Sequence, residues 1–209
     1  MNFDQPKNEI INTPENKIKE GVDFVFEQNP ELSKIGTEQQ YSQYLETIFP
    51  DSEVKDIVYH GTSSKFEEEK FDKSKLGTST SNVTNKLGFY FVPEKLVANI
   101  FIKGRRFKWK DGKIEVNNPI NAKVYSTLIN IINPETIEGD IFQKAAEENT
   151  LPPLKLDGDS LIITPQTKNI LPEFSVTNYV VFESEQIHIL GSEKDIEKFK
   201  EFVSESKSE

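Results

Sequence analysis

The sequence contains no cysteine, only two histidines, and one residue each of tryptophan and methionine. The lack of cysteine excludes disulfide bonds, thiolate catalysis and cysteine-ligated zinc or iron–sulfur sites. Two histidines are too few for an ordinary structural zinc site, so we expect no bound metal. No run approaches 18 apolar residues, and the stretch Met1–Pro6 lacks the basic and apolar regions of a secretion signal. We therefore expect a cytoplasmic protein with no membrane partner.

Basic residues are also scarce: 25 Lys and Arg against 35 Asp and Glu give a net charge of -10. Such a charge repels phosphates at long range, which favours a protein over a nucleic acid as macromolecular partner. The exception is a basic cluster within residues 103–113, where the Asp111-Gly112 turn signal predicts a hairpin over residues 105–116. This hairpin carries Trp109. It fits a solvated insertion or a substrate-contacting element equally well, and it leaves a nucleic-acid partner open.

Hydrophobic residues make up only 35% of the chain, but 15 Phe and 6 Tyr concentrate the apolar content in large side chains. These side chains can build a core of ordinary size for a chain of 209 residues. We expect flexible tails at residues 1–12 and 204–209. A helical segment over residues 13–50 is expected to pack on a single folded domain over residues 51–203.

Two helices are predicted in the N-terminal segment. The first covers residues 13–28, starts with a capping threonine and a proline, and has Ile18, Val22 and Val25 at helical spacing. The second follows the capping-box pattern Thr37–Gln40. Its apolar residues recur at i, i+3, i+4, i+7 and i+8, which indicates one buried face. They are Tyr41, Tyr44, Leu45, Ile48 and Phe49.

Short runs rich in β-branched and aromatic residues predict six or seven strands in the remainder of the chain. They lie at residues 54–60, 87–92, 113–116, 122–132, 160–163, 177–182 and 186–190. The first is expected to stop at the His60-Gly61 corner, and Asn133-Pro134 is expected to end the fourth. His188 alternates with two isoleucines, which predicts that it faces solvent.

Three further helices are predicted among and after these strands. One opens at Pro93-Glu94, a second covers residues 141–149, and the last is capped by the stretch Ser192–Asp195. The inner face of the Pro93-Glu94 helix is predicted to carry Leu96, Val97, Ile100 and Phe101. The strands are not joined by regular crossover helices. An α+β domain with mostly antiparallel sheets therefore fits better than a doubly wound parallel sheet.

Three of the predicted strands carry unusual residues: His60-Gly61-Thr62, Gly88-Phe89-Tyr90-Phe91 and the stretch Asn178–Phe182. Taken alone, His60 fits a strand-end histidine with one structural hydrogen bond as well as a site residue. Together, the three segments resemble the ADP-ribosyltransferases of the His-Tyr-Glu clade, which includes diphtheria toxin and the poly-ADP-ribose polymerases. The similarity is greatest to the bacterial and phage branch found in polyvalent proteins of phages and mobile elements. The resemblance covers residues 56–190.

The resemblance implies an NAD-binding cleft between two small, mostly antiparallel sheets. It assigns His60 to a hydrogen bond with the ribose next to adenine. Gly61 would present its backbone N–H and C=O to the nicotinamide carboxamide, because only glycine lets a ligand approach the main chain so closely. Thr62 would supply a nearby hydroxyl.

The second motif, which begins at Gly88, implies that Tyr90 stacks on the nicotinamide ring. Eleven residues later, Phe101 occupies the place of a second stacking aromatic in this family. Ala98 stands where the family often has a small hydroxyl residue that contacts the carboxamide. The absence of this hydroxyl removes one hydrogen bond, which weakens nicotinamide binding by about 1 kcal/mol.

The third motif departs from the family at the residue that should be the catalytic glutamate, which here is Asn178. A carboxylate at that position stabilises the positive charge that develops on the nicotinamide ribose, and asparagine lacks this charge. Three outcomes follow: a slow transferase, a transferase whose carboxylate comes from Glu183 or Glu185, or an NAD-binding relic. Both glutamates are otherwise ordinary solvated loop charges.

The function implied by the resemblance is transfer of ADP-ribose from NAD, as substrate, to an unidentified macromolecular target with release of nicotinamide. One alternative is a catalytically impaired module that binds NAD or ADP-ribose and mediates an interaction. The other is an NAD glycohydrolase, in which water is the acceptor.

Overall fold

The protein is described from a computed structural model. It describes residues 18–62, 70–78, 82–104, 107–110, 113–116, 122–155, 157–167 and 175–206. Within these residues the chain forms six α-helices, two mostly antiparallel sheets and a separate two-stranded ribbon. The fold class is therefore α+β, as the sequence predicts. The tail predicted at residues 1–12 lies outside the described residues.

The helices are α1 (Val22–Gln28), α2 (Leu32–Ile35), α3 (Glu38–Thr47), α4 (Lys95–Gly104), α5 (Gly139–Glu147) and α6 (Glu193–Glu205). The strands are β1 (Val58–Thr62), β2 (Phe89–Phe91), β3 (Phe107–Lys110), β4 (Lys113–Val116), β5 (Lys123–Ile129), β6 (Pro134–Ile137), β7 (Ser160–Ile163), β8 (Asn178–Val181) and β9 (Ile187–Ile189). Short 3₁₀ helices cover Lys73–Lys75, Val83–Lys86 and Ser184–Gln186.

The two larger sheets meet edge to edge. The first has the strand order β1-β5-β9 and the second the order β2-β8-β7-β6, and every pair is antiparallel except β6 with β7. The edge strands β1 and β2 are joined by a bridge in which Tyr59 N–H donates to Val92 O over 2.8 Å. Val92 N–H returns a bond of 3.0 Å to Tyr59 O. Among the described residues this bridge does not extend into a ladder, so the sheets separate beyond it.

Helix α3 forms where its capping signal predicts. The Thr37 hydroxyl accepts a bond from Gln40 N–H over 3.2 Å, and the Gln40 side chain accepts one from Thr37 N–H over 3.0 Å. The predicted face is buried at Tyr41, Tyr44 and Leu45. The helix ends at Thr47, one residue before the last predicted pair, Ile48 and Phe49. Phe49 has a φ of 51°, so these two residues fold over the end of the helix and pack there.

The first N-terminal helix is shorter than predicted. Helix α1 begins after Gly21, whose φ of 89° is a left-handed conformation that suits glycine. Ile18 is 46% exposed and lies outside the helix, so it does not share the buried face of Val22 and Val25. Residues 13–17 of the predicted helix lie outside the described residues. Helix α2, which begins two residues after Pro30, was not predicted.

The N- and C-terminal helices pack on the first sheet. Val22, Leu32 and Tyr41 share one buried cluster with Tyr59 of β1 and Phe199 of α6. Residues 18–50, the described part of the segment over residues 13–50, therefore pack on the core. Helix α6 runs to Glu205 and enters the stretch that the sequence predicts as a tail.

Two strand boundaries differ from the prediction for identifiable reasons. Strand β1 begins at Val58 and does not stop at His60, because Gly61 and Thr62 remain paired with β5. Strand β6 was missed because Pro134 was interpreted only as a stop signal. In the structure Pro134 is the first residue of an edge strand, where the missing N–H costs little pairing.

The prediction that His188 faces solvent is wrong. Its side chain is buried, and its Nε2 lies 2.7 Å from Oδ1 of Asp195, which is fully buried near the start of α6. The Asp195 carboxylate also accepts bonds from Tyr41 Oη, from Tyr44 Oη at 3.2 Å and from Gly191 N–H at 2.8 Å. Four donors thus replace the water that this carboxylate loses on burial. The resulting cluster ties α3, β9 and α6 together.

Candidate functional site

The three motif segments lie on three consecutive strands. Strand β1 carries His60-Gly61-Thr62 and is bridged to β2, which carries Tyr90. Strand β2 is paired in turn with β8, where Tyr90 is the register partner of Val180. Segments about 30 and 90 residues apart in the sequence therefore meet at the junction of the two sheets.

The His60 ring is held in one orientation by β2. Its Nδ1 lies 2.8 Å from the carbonyl oxygen of Tyr90. A carbonyl can only accept, so Nδ1 carries the hydrogen, and in the neutral ring Nε2 is the acceptor. The rings of Phe71 and Phe91 pack against the imidazole, with centroid distances of 5.1 Å and 5.6 Å. The hydrogen bond and the two aromatic contacts together fix the imidazole ring.

Gly61 is required by the packing of α4 on β1. A Cβ atom at this position would lie 2.2 Å from Ala98 O and 3.2 Å from Ile102 Cγ1. The backbone of Gly61 also has a defined direction. Residues two apart on a strand direct their N–H and C=O to the same side, and those of Tyr59 point to Val92, which directly follows β2. The N–H and C=O of Gly61 therefore point away from β5, just beyond the bridge where the sheets separate.

Thr62 and Gly88 have clear structural roles. Thr62 is buried at the end of β1, opposite Lys123 of β5. A Cβ atom on Gly88 would lie 2.3 Å from the carbonyl oxygen of Val181 and 2.9 Å from Cγ1 of Val180. Glycine therefore lets the start of β2 approach β8 closely. The glycine of the Gly-Phe-Tyr-Phe pattern therefore has a packing reason in this chain.

Tyr90 is the aromatic residue at the centre of this region. Its hydroxyl donates a 2.6 Å bond to the carbonyl oxygen of Thr84, and its ring packs edge-on against Phe142 of α5 at 6.4 Å. Burial raises the pKa of Tyr90 well above its usual value, so the hydroxyl stays protonated as a donor. The ring lies in the buried cluster that contains Val180. Helix α5 therefore packs on the face of the second sheet that carries Tyr90.

The face of α4 that packs on β1 differs from the predicted one. Leu96 and Phe101 are 67% and 38% exposed, whereas Val97, Ala98 and Ile102 are buried. The prediction that Leu96 and Phe101 line the inner face is therefore wrong. The buried face of α4 is the one that carries Ala98, because this small residue lies against Gly61 of β1. Phe101 follows Ala98 by three residues, close to one helical turn.

Asn178 is the first residue of β8 and pairs with Ile163 of β7. Its Nδ2 donates a 3.1 Å bond to the carbonyl oxygen of Val176. Asn178 lies two residues from Val180 and so occupies the same face of β8. Continuing the β2–β8 register by one pair places it opposite Val92, beside the bridge between the sheets. The backbone therefore brings position 178 to the same junction as His60 and Gly61.

Glu183 and Glu185 lie at the other end of β8, separated from Asn178 by roughly 10 Å of strand. The Glu183 side chain forms an ion pair with Lys73, and its backbone N–H donates a 2.9 Å bond to the Gln186 side chain across the 3₁₀ helix Ser184–Gln186. Bonds from its own backbone N–H and from Ser184 hold the pKa of Glu185 below its usual value. The structure does not bring either glutamate to Asn178.

Two other acids lie at the Asn178 end of the second sheet. Glu94 follows Val92 by two residues, and Glu138 directly follows Ile137, whose strand is next to the partner of Asn178. Both are exposed. The sequence pattern gave no signal that these residues lie near Asn178, because only tertiary pairing places them there: the Tyr59–Val92 bridge for Glu94 and the pairing of β6 with β7 for Glu138.

A separate shallow depression lies between α1 and the strands β5 and β9, and its lining includes Phe24, Asn29, Lys123 and Tyr125. None of the residues predicted for the site lines it. In the described part of the chain, no three His, Asp or Glu side chains are grouped in a way that could bind a metal ion. Nor does any described helix have the length and apolar character needed to cross a membrane.

No protein-family model matches this chain, and no curated protein matches it either. The junction of β1, β2 and β8 is therefore the basis for assigning a function.

Proposed function

We propose that this chain binds NAD and transfers its ADP-ribose group to a macromolecular acceptor, with release of nicotinamide. The observation that carries the proposal is the junction of β1 and β2. There the His60 ring is fixed on the Tyr90 carbonyl at 2.8 Å, next to the outward-directed backbone of Gly61. The three segments that resemble the His-Tyr-Glu ADP-ribosyltransferases meet at this point.

The chemistry of His60 and Gly61 suits the two ends of NAD that the resemblance assigns to them. With hydrogen on Nδ1, the neutral His60 ring can accept a bond from a ribose hydroxyl at Nε2. A carboxamide has one acceptor and two donors, so it is complementary to a strand edge that offers one N–H and one C=O. Gly61 provides such an edge on β1. Its N–H and C=O point away from β5, to the place where the two sheets separate beyond the bridge.

The architecture is compatible with the split sheets of that family. Two small and mostly antiparallel sheets meet at the Tyr59–Val92 bridge, and the three motif segments lie on the strands nearest to it. Tyr90 and Phe101 are the aromatic residues proposed to stack on nicotinamide. Ala98 is buried against Gly61. Its side chain is a methyl group and offers no hydroxyl to the carboxamide, so the proposed binding is weaker by about 1 kcal/mol, the contribution of one hydrogen bond.

The proposed transfer breaks the bond between C1′ of the ribose and the nicotinamide nitrogen. Nicotinamide leaves with the bonding electrons, and a nucleophile of the acceptor forms the new bond to C1′ and loses its proton. Positive charge develops on the ribose during this step, and a fixed carboxylate would stabilise it. Asn178 can bind a ribose hydroxyl but has no charge. We therefore expect turnover about 10²-fold or more below that of an enzyme with glutamate at this position.

The second candidate function is a binding module for NAD or ADP-ribose without catalysis. It is favoured by Asn178, which has no carboxylate and whose amide donates to the Val176 carbonyl. The buried Ala98 points in the same direction. Under this alternative, the chain would recognise the nucleotide and present it, or respond to it, without breaking the glycosidic bond.

The test uses the full chain and NAD labelled in its adenylate half. Calorimetry with NAD alone measures binding, and incubation with cell extract measures transfer of label to macromolecules and release of nicotinamide. We expect NAD binding and slow transfer, both lost in His60→Ala and retained in Ser33→Ala, an exposed control. Binding without nicotinamide release supports the second candidate. Nicotinamide release without labelled macromolecules indicates an NAD glycohydrolase, and absence of NAD binding in the wild type refutes all three.

A further inference from the structure

The shallow depression between α1, β5 and β9 lies at an open edge of the first sheet. Strand β9 pairs with β5 only as far as Thr127, and Leu190 N–H then donates a last bond of 3.0 Å to the carbonyl oxygen of Ser126. In the described ranges, no strand covers that side of β5 beyond this bond. The depression occupies this place. It has a volume of about 80 Å³, which is room for a few water molecules or a ligand group of similar size.

Val124 directs its backbone N–H and C=O into this opening. Residues two apart on a strand direct these groups to the same side, so those of Val124 follow the direction of Ser126 and point away from β1. Val124 is also the register partner of Gly61, whose own groups point away from β5. Among the described residues, neither group of Val124 has a hydrogen-bond partner. The open edge therefore offers one donor and one acceptor side by side.

The hydroxyl of Ser126 is a further polar group at this opening. Ser126 lines the depression and is only 7% exposed. It shares a face of β5 with Val124 and Leu128, and Leu128 packs in the same buried cluster as Val25 of α1. Within the part of the chain that the structure describes, the hydroxyl forms no hydrogen bond. Buried polar groups nearly always have a partner, so an unpaired hydroxyl in the wall of an opening indicates a bound group.

Two lysine ammonium groups lie beside the depression. The Nζ of Lys123 is 4.7 Å from the centre of the Tyr125 ring, and both residues line the depression. The Nζ of Lys95 is 3.3 Å from the centre of the ring of Phe24, another lining residue. Within the described residues neither ammonium group forms an ion pair, and no described acid lines the depression. The local charge of this opening is therefore positive.

The inner wall of the depression has a fixed shape. Gly191 has a φ of 73°, and a Cβ atom there would lie 2.1 Å from Nδ2 of Asn29, so the Asn29 side chain packs directly on the Gly191 backbone. The same Nδ2 donates a 2.9 Å bond to the carbonyl oxygen of Val25. Gly191 N–H donates a 2.8 Å bond to the Asp195 carboxylate. The wall is thus held by bonds of its own and leaves the groups of β5 for a ligand.

We infer that this depression binds a carboxylate whose α-carbon carries an N–H or O–H group, as in the last residue of a peptide or in a small hydroxy acid. The carboxylate oxygens accept bonds from Val124 N–H, from the Ser126 hydroxyl and from Lys123. The N–H or O–H on the α-carbon donates to the Val124 carbonyl. Every unpaired group of β5 in the depression then has a partner of the opposite kind.

Other ligand classes fit these groups less well. A phosphate dianion has no donor and would place negative charge against the Val124 carbonyl. A neutral amide satisfies Val124 but leaves the two lysine charges without a counterion. The inference does not depend on NAD binding, because the depression lies on the β9 side of β5 and the β1–β2–β8 junction lies on the other side.

The test uses the full chain, isotope-labelled for amide NMR, and N-acetylglycine as the probe. We expect saturable shifts of the Val124 and Gly191 amide signals. N-acetylglycine methylamide lacks the charge and should bind about tenfold more weakly. Acetate lacks the donor on the α-carbon and should bind about fivefold more weakly. Inorganic phosphate should also bind more weakly than N-acetylglycine.

Two variants separate the hydroxyl from the charge. Ser126→Ala should weaken N-acetylglycine binding about fivefold. Without ligand it should be at least as stable as the wild type, because the hydroxyl bonds to no described group; a structural hydroxyl would give the opposite result. Lys123→Met keeps the length of the side chain without its charge and should weaken binding about tenfold. Lys34→Met, the exposed control, and His60→Ala should bind like the wild type, and circular dichroism establishes that each variant is folded.

Two further ligands distinguish the sources of the carboxylate. A lower Kd for acetyl-Ala-Ala-Gly than for N-acetylglycine assigns the depression to the end of a peptide chain, and a lower Kd for lactate assigns it to small hydroxy acids. Absence of saturable shifts with N-acetylglycine overturns the inference. Unchanged binding in both Ser126→Ala and Lys123→Met, or tighter binding of phosphate, also overturns it and indicates an adventitious ion only.

Discussion

The carbonyl oxygen of Ala98 lies 2.2 Å from the place where a Cβ atom on Gly61 would be. Helix α4 therefore rests directly on the backbone of β1, at the residue whose N–H and C=O are directed to the junction of the two sheets. This contact couples the position of Phe101, farther along α4, to the geometry of the proposed NAD site. It also means that Gly61 serves packing and the proposed binding at once.

Substitution Gly61→Ala should destabilise the protein by about 1–3 kcal/mol, because the added methyl group forces the α4 backbone away from β1. This cost outweighs the small gain expected from a less flexible unfolded chain. Urea unfolding followed by circular dichroism measures it. Leu96→Ala is the control on the same helix: its side chain is 67% exposed, so a change within about 0.5 kcal/mol is expected. Equal stability of Gly61→Ala and wild type would contradict the described contact.

Substitution Asp195→Asn should cost about 3 kcal/mol of unfolding free energy. The carboxylate is fully buried and accepts bonds from Tyr41, Tyr44, His188 and the Gly191 N–H. An amide in its place directs an NH₂ group toward donors and leaves some of them without an acceptor. Thermal unfolding at neutral pH measures the loss. The exposed Asp157→Asn is the matched control, and a similar small effect in both variants would argue against the cluster.

Stability should fall in alkaline solution. Burial first, and the Asp195 carboxylate second, raise the pKa of Tyr41 and of Tyr44 above the ordinary tyrosine value of about 10. Below about pH 10 both tyrosines are protonated in the folded and in the unfolded chain, so their contribution to the free energy of unfolding is fully present. Above it, the unfolded chain loses these protons while the folded chain keeps them. The free energy of unfolding should therefore decrease by about 1.4 kcal/mol per pH unit for each tyrosine.

Urea unfolding at about pH 8 and about pH 11 measures this dependence. Tyr41→Phe should be less stable than wild type at pH 8, because Asp195 loses a donor, and its stability should decline less steeply toward pH 11. A slope identical to that of the wild type would show that Tyr41 does not contribute to the effect.

Substitution Asn178→Glu should raise NAD turnover by about 10²-fold, because it supplies the carboxylate that stabilises positive charge on the ribose. Release of nicotinamide from labelled NAD measures the rate. Asn178→Gln has the same length without the charge and should give no gain. If neither variant gains activity and Glu183→Gln or Glu185→Gln abolishes wild-type turnover, the charge comes from the far end of β8 and the assignment of position 178 is wrong.

The sequence alone determined the features that depend on near neighbours. The Thr37 capping box, the Ser192 cap of α6 and most strand positions follow from groups a few residues apart, whose preferences act before any tertiary contact. The sequence also predicted the α+β class and the β3–β4 hairpin. The interpretation of the three motif segments as an NAD site stays a prediction.

Only the tertiary structure decided which side chains are buried and which segments meet. The buried cluster around Asp195 is completed by Tyr41, which is 154 residues away in the sequence. The alternation within β9 therefore could not show that the His188 side chain is buried in this cluster and does not face water. Likewise, Leu96 and Phe101 match the spacing of a buried helical face. The close approach of α4 to Gly61 instead buries the face with Ala98 and leaves Leu96 and Phe101 exposed. Burial depends on the sum of long-range packing contacts, and a local pattern carries no information on where those contacts come from.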